Sequence, residues 1–574
     1  MKSTCTYLLL LILAFSACRK PEPAGNEVHV RLAQDPESLN PVSYTSKDAM
    51  QLVNLLFQSL LTVDLADGKL KPLLAAEMPE VSSQDSLSLI TYRIRPEAAW
   101  ANGTPVTAAD VAFTLKVRIS PLVNNEKVRA DYGFIRDLRP DPEDPKKFTL
   151  ICSDYSPEHL LLSGDFFVLP AYLFDPEGLL QPFTLPQLAQ QFDALTKDPA
   201  IQQFAENFNS ARFTRDHDFL KGSAGYLLDR WETGQQVSFV RKTNWWGNDL
   251  PNPQSHLTAN PQKIDFLIKP DDAAALIALK NGQLDVWQNI PAMVFEQLRN
   301  DAATKADFQF FTPQTYTFAY LGFNGRLPKL AGRQTRQALA HLLDLDAIIA
   351  LTQQNLAART IGPVSPEDKA YYHSGIKPYN YNLSRAETLL QQDGWQKNAM
   401  GWQRKTQEGP EVLTLALSYS GSNSEFEAIA LVFQQAAAKI GIPVTLKPLE
   451  SGVFTKELKQ GDFDLFLRSM TGNPFVFNFK PILHTSSIGP DGLNYTGFGT
   501  AKSDAIIEEL YGSNAEARKT ELLKRLQEIL HQESNLAFLF FKRDRIAVHK
   551  RFSNLKISGI KPGYDVSAFE VKEK

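Results

Sequence analysis

Two short motifs constrain the fold of this chain more than any other feature. Residues 100–117 read WANGTPVTAADVAFTLKV, and residues 222–246 read GSAGYLLDRWETGQQVSFVRKTNWW. In the first motif a tight turn leads to Thr107, which can cap a helix that begins at Ala108. Asp110 then lies in the first turn, where the helix dipole favours a negative charge. The motif therefore predicts a strand, a turn and a capped helix in close succession.

The second motif predicts a pair of strands that follows a tight turn. Gly222, Ala224 and Gly225 permit the backbone to turn closely, because glycine tolerates conformations that other residues avoid. Tyr226 and Trp231 can then cover one face of the two strands, YLLDRW and VSFVRK.

Short strand and helix patterns alternate along the remaining sequence, which favours α/β domains with mixed sheets. Residues 28–34, VHVRLAQ, alternate as a strand does. Apolar residues at helical spacing predict an amphipathic helix over 47–62. A chain of 574 residues is long enough for two to four domains. Its net charge of -4 argues against a nucleic-acid partner, because neutralising phosphates requires a basic surface.

The N-terminus has the pattern of a secretory signal, which we expect to occupy residues 1–17. Lys2 supplies the positive start, and the apolar run at 7–15 is too short to span a membrane comfortably. Small residues precede Cys18, as at a lipoprotein cleavage site, although a cut near Ala17 without lipidation is the alternative. Lipidation would make residues 18–26 a flexible tether to a membrane.

Cysteine usage fits this interpretation. The chain contains Cys5, Cys18 and Cys152 only. After processing and lipidation Cys152 would be the one free thiol, so an intramolecular disulfide framework is excluded. Its strand-like surroundings, FTLICSD, predict a small buried apolar residue.

Several further segments, together with the two motifs, resemble one known family in the same order along the chain. That family is the extracytoplasmic solute-binding proteins of ABC importers, in the peptide/nickel-binding family 5. The resembling segments are DDAAALIALKNGQLDVW (271–287), AYLGFN (319–324), TRQALAHLLDLDAII (335–349), SRAETLLQQDGW (384–395), FEAIALVFQQAAAKIGIPVTL (426–446), FDLFLRS (463–469) and LNYTGFGTAKSDAIIEEL (493–510).

The resemblance implies a type II periplasmic-binding-protein-like fold, a Venus flytrap of two α/β lobes with an inserted domain. The first lobe would be discontinuous, the inserted domain would follow its first segment, and the chain would cross between lobes near 312–317 and 535–538. The implied ranges are 27–67, 216–312 and 536–574 for the first lobe, 68–215 for the inserted domain, and 313–535 for the second lobe.

The resemblance also implies a monomeric receptor on the extracytoplasmic or periplasmic face of the cell envelope. It would bind a peptide or peptide-like solute and deliver it to the permease of an ABC importer. The alternative is the same trap with an oligosaccharide or a metal chelate as ligand. A ligand enclosed between lobes loses its water, so each of its polar groups needs a partner in the protein.

Two places are candidates for ligand contact by this resemblance, one in the first lobe and one in the inserted domain. Thr45, Ser46 and Lys47 match a loop that follows the ligand backbone in oligopeptide-binding relatives. Ser46 is equally well placed to cap the first helix. Tyr132 is the second candidate, and a core or surface aromatic residue is its alternative role.

In the second lobe, the candidates lie in RSMTGNP at 468–474. Arg468 matches a carboxylate-binding arginine of some relatives, and a salt bridge at a strand end is the alternative. Met470 replaces the family's tryptophan, and Asn473 lies near the aspartate that pairs with a peptide's α-ammonium. Asparagine supplies no negative charge, so ordinary recognition of a free peptide N-terminus is in doubt.

An enzymatic function is not expected. The sequence has no Gly-x-Ser-x-Gly, His-Glu-x-x-His or Walker-type phosphate loop. The one tight histidine and carboxylate group is 216–218, Asp-His-Asp, whose spacing suits a solvated loop better than a metal site. We therefore predict no catalytic residue, metal or cofactor.

Overall fold

The computed structural model describes residues 25–250, 256–399, 401–407, 409–490, 492–513 and 515–572. The predicted signal peptide, the lipidation site at Cys18 and all but the last two residues of the predicted tether lie outside these ranges. Within them, no helix has the length and apolar character needed to cross a membrane.

Strands and helices alternate along the described chain, as the sequence predicts. The strands are β1 (Glu27–Leu32), β2 (Leu61–Asp64), β3 (Lys69–Pro72), β4 (Glu80–Gln84), β5 (Leu87–Arg93), β6 (Ile135–Pro140), β7 (Lys147–Cys152), β8 (Tyr226–Glu232), β9 (Gln236–Arg241), β10 (Lys263–Ile268), β11 (Val286–Trp287), β12 (Phe308–Phe311), β13 (Gln314–Phe323), β14 (Ala357–Arg359), β15 (Gln396–Asn398), β16 (Gly401–Thr406), β17 (Gly409–Val412), β18 (Leu415–Ser420), β19 (Val444–Leu449), β20 (Leu465–Thr471), β21 (Leu536–Arg543), β22 (Ile546–His549), β23 (Phe552–Ser553) and β24 (Glu570–Val571).

The α-helices are α1 (Lys47–Leu56), α2 (Ala108–Ile119), α3 (Glu126–Arg129), α4 (Pro157–Gly164), α5 (Ala171–Phe174), α6 (Leu185–Gln190), α7 (Phe192–Leu195), α8 (Pro199–Phe208), α9 (Arg212–Arg215), α10 (Asp272–Lys280), α11 (Ala292–Asn300), α12 (Ala302–Asp307), α13 (Pro328–Ala331), α14 (Arg333–Ala340), α15 (Leu345–Gln353), α16 (Leu383–Gln392), α17 (Ser424–Lys439), α18 (Ser451–Gln460), α19 (Lys480–Leu483), α20 (Ala501–Gly512) and α21 (Glu516–Glu533). Short 3-10 helices lie at Ala130–Tyr132, Trp246–Asp249, Thr485–Ser487 and Val566–Ala568.

The chain divides into two compact units. The first comprises the described part of Met1–Asp154, Leu160–Phe311 and Arg545–Lys574, and the second comprises Tyr155–His159 and Thr312–Asp544. The largest sheet of the first unit has the order β12-β22-β11-β1-β10-β9-β8, with β1 parallel to both of its neighbours. A separate four-stranded sheet has the order β4-β5-β7-β6. These mixed sheets with their helices confirm the predicted α/β class.

The second unit is built on a six-stranded sheet of order β14-β21-β13-β20-β18-β19. Its central strand β13 buries both faces. Ala319 and Leu321 pack into one apolar cluster, and Phe318 and Tyr320 pack into another on the opposite side. A strand that is covered on both sides must be apolar throughout, which explains the continuous run AYLGF.

The second crossing between units lies later than the resemblance implies. The expected first-lobe segment begins at 536, but β21 pairs antiparallel with β13 from Leu536 to Arg543 and so belongs to the second unit. The chain returns to the first unit at Arg545. Apart from Tyr155–His159, the expected inserted domain is not separated from the first unit by this division. Its boundaries stay a prediction.

Both opening motifs form the predicted local structure. Thr107 is the N-cap of α2, and its backbone N–H and hydroxyl donate to the Asp110 carboxylate at 2.9 and 3.1 Å. A side chain at Gly222 would place its Cβ 2.1 Å from the Leu56 carbonyl oxygen, so the turn requires glycine there. That carbonyl accepts from the Ala224 N–H, and α1 ends at Leu56, several residues before the predicted end.

Cys152 is fully buried at the end of β7 and forms no disulfide, as the sequence predicts. Burial raises the pKa of its thiol to about 12. The thiol is therefore neutral and unreactive at physiological pH.

Candidate functional site

The predicted ligand contacts fall into two groups, one in each unit. Three of them lie at the start of α1 and a fourth in the 3-10 helix after α3, and the other three lie on and just beyond β20. The first group is Thr45, Ser46, Lys47 and Tyr132, and the second is Arg468, Met470 and Asn473.

The loop before α1 is held by a carboxylate that the sequence analysis did not single out. Glu37 accepts from the backbone N–H of Thr45, from the Thr45 hydroxyl at 2.8 Å and from the Ser46 N–H at 2.7 Å. Its second oxygen accepts from the Ser46 hydroxyl at 2.8 Å. The Ser46 side chain also accepts from the Ala49 N–H, so it is the helix N-cap, as expected. Lys47 begins the helix and is half-buried.

This arrangement resembles a carboxylate bound by a receptor, except that the carboxylate belongs to the chain itself. Burial opposes ionisation of Glu37, but hydrogen bonds from its own backbone and from Thr45 and Ser46 lower its pKa to about 2. Glu37 is therefore charged at neutral pH. At these predicted ligand contacts, the backbone and hydroxyl donors of Thr45 and Ser46 are already bound to Glu37.

Tyr132 is a core residue of the first unit, only 4% exposed. Its ring packs edge-on against Phe166, and burial raises the pKa of its hydroxyl to about 12. The Arg118 guanidinium lies 4.9 Å from the centre of the Tyr132 ring and donates from Nη1 to the hydroxyl at 3.2 Å. The structure thus places a cation beside the predicted residue.

Arg118 is the functional candidate that the sequence analysis missed. It is 4% exposed, its Nε has no hydrogen-bond partner, and it forms no salt bridge with any described residue. Burial raises the pKa of the nearby Asp165, and the Arg118 charge opposes that rise although the two side chains form no salt bridge. A buried guanidinium that lacks a carboxylate partner is costly and so marks a place where an anion can bind.

A signal for Arg118 exists in the sequence. Val111, Thr114, Leu115 and Arg118 share one face of α2 by helical spacing, and all four are buried. Arg118 also lies in the last helical turn, where a basic residue interacts favourably with the helix dipole. That interaction is enough to explain an arginine at this position, so the sequence alone does not single it out as a functional residue.

Arg468 and Met470 share one face of β20 in the second unit. Arg468 pairs across the sheet with Tyr320, and Met470 pairs with Phe318. The Arg468 guanidinium lies 5.3 Å from the centre of the Tyr495 ring. In the described part of the chain it forms neither a hydrogen bond nor a salt bridge, so the salt bridge considered as its alternative role is not formed there.

Met470 and Tyr495 line a small cavity whose walls are mainly aromatic and aliphatic. The Tyr495 hydroxyl is buried and has no hydrogen-bond partner among the described residues. Asn473 is exposed, and its side-chain carbonyl accepts from the Phe475 N–H at 2.8 Å, which closes a local turn. The amide brings no negative charge to this end of β20.

The sequence as a whole matches known solute-binding proteins. A family model described as "Bacterial extracellular solute-binding proteins, family 5 Middle" matches residues 69–487. The oligopeptide-binding protein AppA of Bacillus subtilis is 21% identical over 566 residues, covering 96% of this chain and 94% of AppA. The probable D,D-dipeptide-binding periplasmic protein DdpA of Escherichia coli is 22% identical over 551 residues, covering 95% and 94%.

Solved structures show the same fold. NikA from Brucella suis in complex with Fe(III)-EDTA is similar with a TM-score of 0.74 at 19% identity, covering 96% of this chain and all of NikA. AppA from Bacillus subtilis in complex with a nonapeptide is similar with a TM-score of 0.68 at 18% identity, covering 95% and 99%. These similarities confirm the predicted type II binding-protein fold.

Proposed function

Because the chain belongs to the bacterial extracellular solute-binding proteins of family 5, we propose that it captures a carboxylate-bearing peptide or peptide-like solute and delivers it to an ABC importer. The observation that carries this proposal is the state of two arginines. Arg118 is buried and Arg468 is half-buried, and neither forms a salt bridge within the described chain.

Guanidinium groups of this kind suit ligand carboxylates. Arginine offers a planar set of donors that binds a carboxylate through two parallel hydrogen bonds. When such a bond forms away from water, removal of one partner costs about 2–5 kcal/mol of binding free energy. A peptide carries a carboxylate at its C-terminus, and acidic side chains add others.

The α-ammonium group of a peptide has no evident partner at β20. Asn473 provides only an amide, and its carbonyl oxygen is already used in a turn. We therefore expect that a blocked or internal N-terminus is tolerated, and that recognition depends on the carboxylate end of the ligand.

Isothermal titration with short peptides tests the proposal. We expect a peptide with a free C-terminus to bind at least about 30-fold more tightly than its C-terminal amide. The variants Arg118→Met and Arg468→Ala should lose binding to a similar degree. Arg518→Ala is the matched control, because Arg518 is exposed and already paired with Glu509 and Glu521. Equal binding of acid and amide, with unchanged affinity in both variants, would contradict the proposal.

An anionic metal chelate is the second candidate function. Two arginines without carboxylate partners and the absence of an acidic anchor at Asn473 favour a polycarboxylate over a zwitterion. Titration with Fe(III)-EDTA separates the two functions, since the chelate would bind in place of the peptides and lose affinity in the same arginine variants. An uncharged oligosaccharide whose binding is insensitive to both arginines would contradict both functions.

We also propose that the protein acts as a monomer attached to the extracytoplasmic face of a membrane through a lipid on Cys18. The small residues before Cys18 support this proposal. Expression of the full chain in a bacterial host should give a membrane-bound form that carries a lipid mass at its first residue. Cys18→Ser should release the protein in soluble form, and recovery of the unsubstituted chain as a soluble, unlipidated protein would refute the anchor.

A further inference from the structure

A cluster of ionisable side chains lies on the main sheet of the first unit, where strands β11, β1 and β10 are neighbours. Glu27 and His29 are two residues apart on β1 and therefore share one face. Asp265 stands beside His29 in the parallel register of β10. One ligand atom from each of the three residues lies within 4.8 Å of the others. Their proximity is built into the register of the sheet.

The His29 ring has a fixed orientation. Its Nδ1 lies 3.1 Å from the Asp285 carboxylate, which also accepts from the His29 backbone N–H at 2.8 Å. Arg551 donates two hydrogen bonds to the same carboxylate at 2.9 and 2.8 Å, which keeps it ionised. Asp285 therefore accepts a hydrogen bond from Nδ1–H, and Nε2 faces Asp265, at 3.8 Å from its Oδ2. A carboxylate that holds one ring nitrogen in this way is typical of histidines that bind metal ions.

Two buried oxygen atoms, on Asp265 and on its neighbour across the sheet, have no hydrogen-bond partner among the described residues. Asp265 is 5% exposed, and its Oδ1 accepts no hydrogen bond from any described residue. Ser238 stands directly opposite Asp265 on β9, is fully buried, and has an Oγ with no partner in the described chain. Buried polar atoms without partners are costly, so a polar occupant is expected here.

We propose that Glu27, His29 and Asp265 bind a divalent transition-metal ion of the zinc class. Carboxylate and imidazole ligands at about 2.0–2.2 Å around a tetrahedral ion lie about 3.4 Å apart. The 3.8 Å separation of His29 Nε2 and Asp265 Oδ2 approaches this value, and Glu27 offers an oxygen within 4.8 Å of both residues, so side-chain rotations would complete the ligand set. Imidazole selects such ions over Mg²⁺ and Ca²⁺, which prefer oxygen ligands alone. The His29 side chain is 24% exposed, so the site can be reached from solvent.

Lys263 is the internal competitor of the ion. Its ammonium lies 2.9 Å from Asp265 Oδ2 and supplies positive charge where the metal would. The site also contains three carboxylates, on Glu27, Asp265 and Asp285, against the two cations of Lys263 and Arg551. Removal of the lysine charge should therefore strengthen metal binding, whereas removal of a ligand should weaken it. A purely structural ion-pair network predicts no metal binding in either variant.

Titration of the full chain with Zn²⁺ tests the proposal, with Mg²⁺ as the control ion. We expect one Zn²⁺ site whose affinity falls at least about tenfold in Glu27→Gln and in His29→Ala, and rises in Lys263→Met. His217→Ala is the matched control, because His217 is an exposed histidine that also stands between two aspartates, and it should leave the affinity unchanged. Zn²⁺ should also raise the melting temperature of the unsubstituted protein but not that of His29→Ala.

If the His29→Ala variant fails to fold, the Glu27→Gln variant still tests the proposal, because Glu27 is only half-buried and its substitution disturbs the sheet less. Unchanged Zn²⁺ affinity in Glu27→Gln, or weaker affinity in Lys263→Met, would overturn the proposal. Substitution with Co²⁺ separates this site from the cysteines of the chain, since a thiolate ligand gives a strong sulfur-to-metal charge-transfer band. The appearance of that band at the first equivalent of Co²⁺ would also overturn it.

Discussion

Arg118 and Arg336 should differ strongly in how much each contributes to the free energy of unfolding. Both arginines are 4% exposed, so they bury the same group to the same degree. Arg336 donates to the Glu533 carbonyl from Nε and Nη2 at 2.9 and 2.7 Å, and to the Leu330 and Ala331 carbonyls from Nη1 at 2.8 and 2.7 Å. It also lies 3.4 Å from the Glu533 carboxylate. Among the described residues, the Arg118 guanidinium has one hydrogen bond, to the Tyr132 hydroxyl.

The two substitutions to methionine should therefore differ in their cost. Arg336→Met removes the guanidinium donors of three carbonyl groups, at about 1–3 kcal/mol each, so we expect a loss of at least about 3 kcal/mol in the free energy of unfolding. Arg118→Met loses one charged hydrogen bond, worth about 1.5–3 kcal/mol, and cation–π contacts worth about 1 kcal/mol. It also removes the desolvation cost of an unpaired cation, which is several kcal/mol. We expect a net change within about 1 kcal/mol.

Equilibrium unfolding in guanidinium chloride measures both values, provided that the denaturant slopes of the variants match. Arg118→Met should at the same time lose ligand binding, which separates its role from a structural one. A destabilisation of 3 kcal/mol or more in Arg118→Met, or equal costs for the two variants, would refute the reasoning that Arg118 is uncompensated without a ligand.

Further predictions concern the turn at Gly222, the ammonium of Lys242 and the carboxylate of Glu37. Gly222→Ala should cost about 1–3 kcal/mol in thermal or chemical unfolding, because its Cβ would collide with the Leu56 carbonyl, whereas Gly512→Ala, with open space around it, should be neutral. Burial lowers the pKa of Lys242 to about 7, so between pH 7 and 10 the unfolded chain holds a proton that the folded protein lacks. Stability should rise with pH across that window by at most about 1.4 kcal/mol per pH unit, and Lys242→Met should abolish the slope. The ionised Glu37, whose pKa is lowered to about 2, stabilises the fold above pH 4.5, and this contribution is lost as the pH falls towards 2. Glu37→Gln lacks this contribution and should therefore unfold at a higher pH during acid titration. An acid unfolding curve that is unchanged in the variant would contradict this prediction.

Local elements were predictable wherever their signal is short-range. The cap at Thr107 and Asp110, and the strand at β1, follow from residues within a few positions of one another. The end of α1 was not predictable, because apolar spacing continues past Leu56 while a distant backbone group, the Ala224 N–H, takes its carbonyl. A contact between segments so far apart leaves no mark in the local pattern.

The site was predictable only as far as the family resemblance reaches. It pointed to Tyr132 but not to Arg118, whose charge matters only because the fold brings the two side chains together. It pointed to Thr45 and Ser46 but not to Glu37, which occupies their donors from the preceding turn. In both cases the sequence supplies the group and the tertiary structure decides whether it has a partner.

Whether a polar group already has a partner separates structural from functional residues in this protein. Arg336 and the backbone of Thr45 and Ser46 carry strong polar groups, but internal carbonyls and the Glu37 carboxylate already bind them, so these groups serve the fold. Arg118 and Arg468 have equally strong donors and no acidic partner in the described chain. The desolvation cost of burying Arg118 is not offset by an acidic partner in the described chain, and a ligand carboxylate is the group that would offset it. The same criterion selects His29 and Asp265, where an oriented imidazole meets an unpartnered carboxylate oxygen.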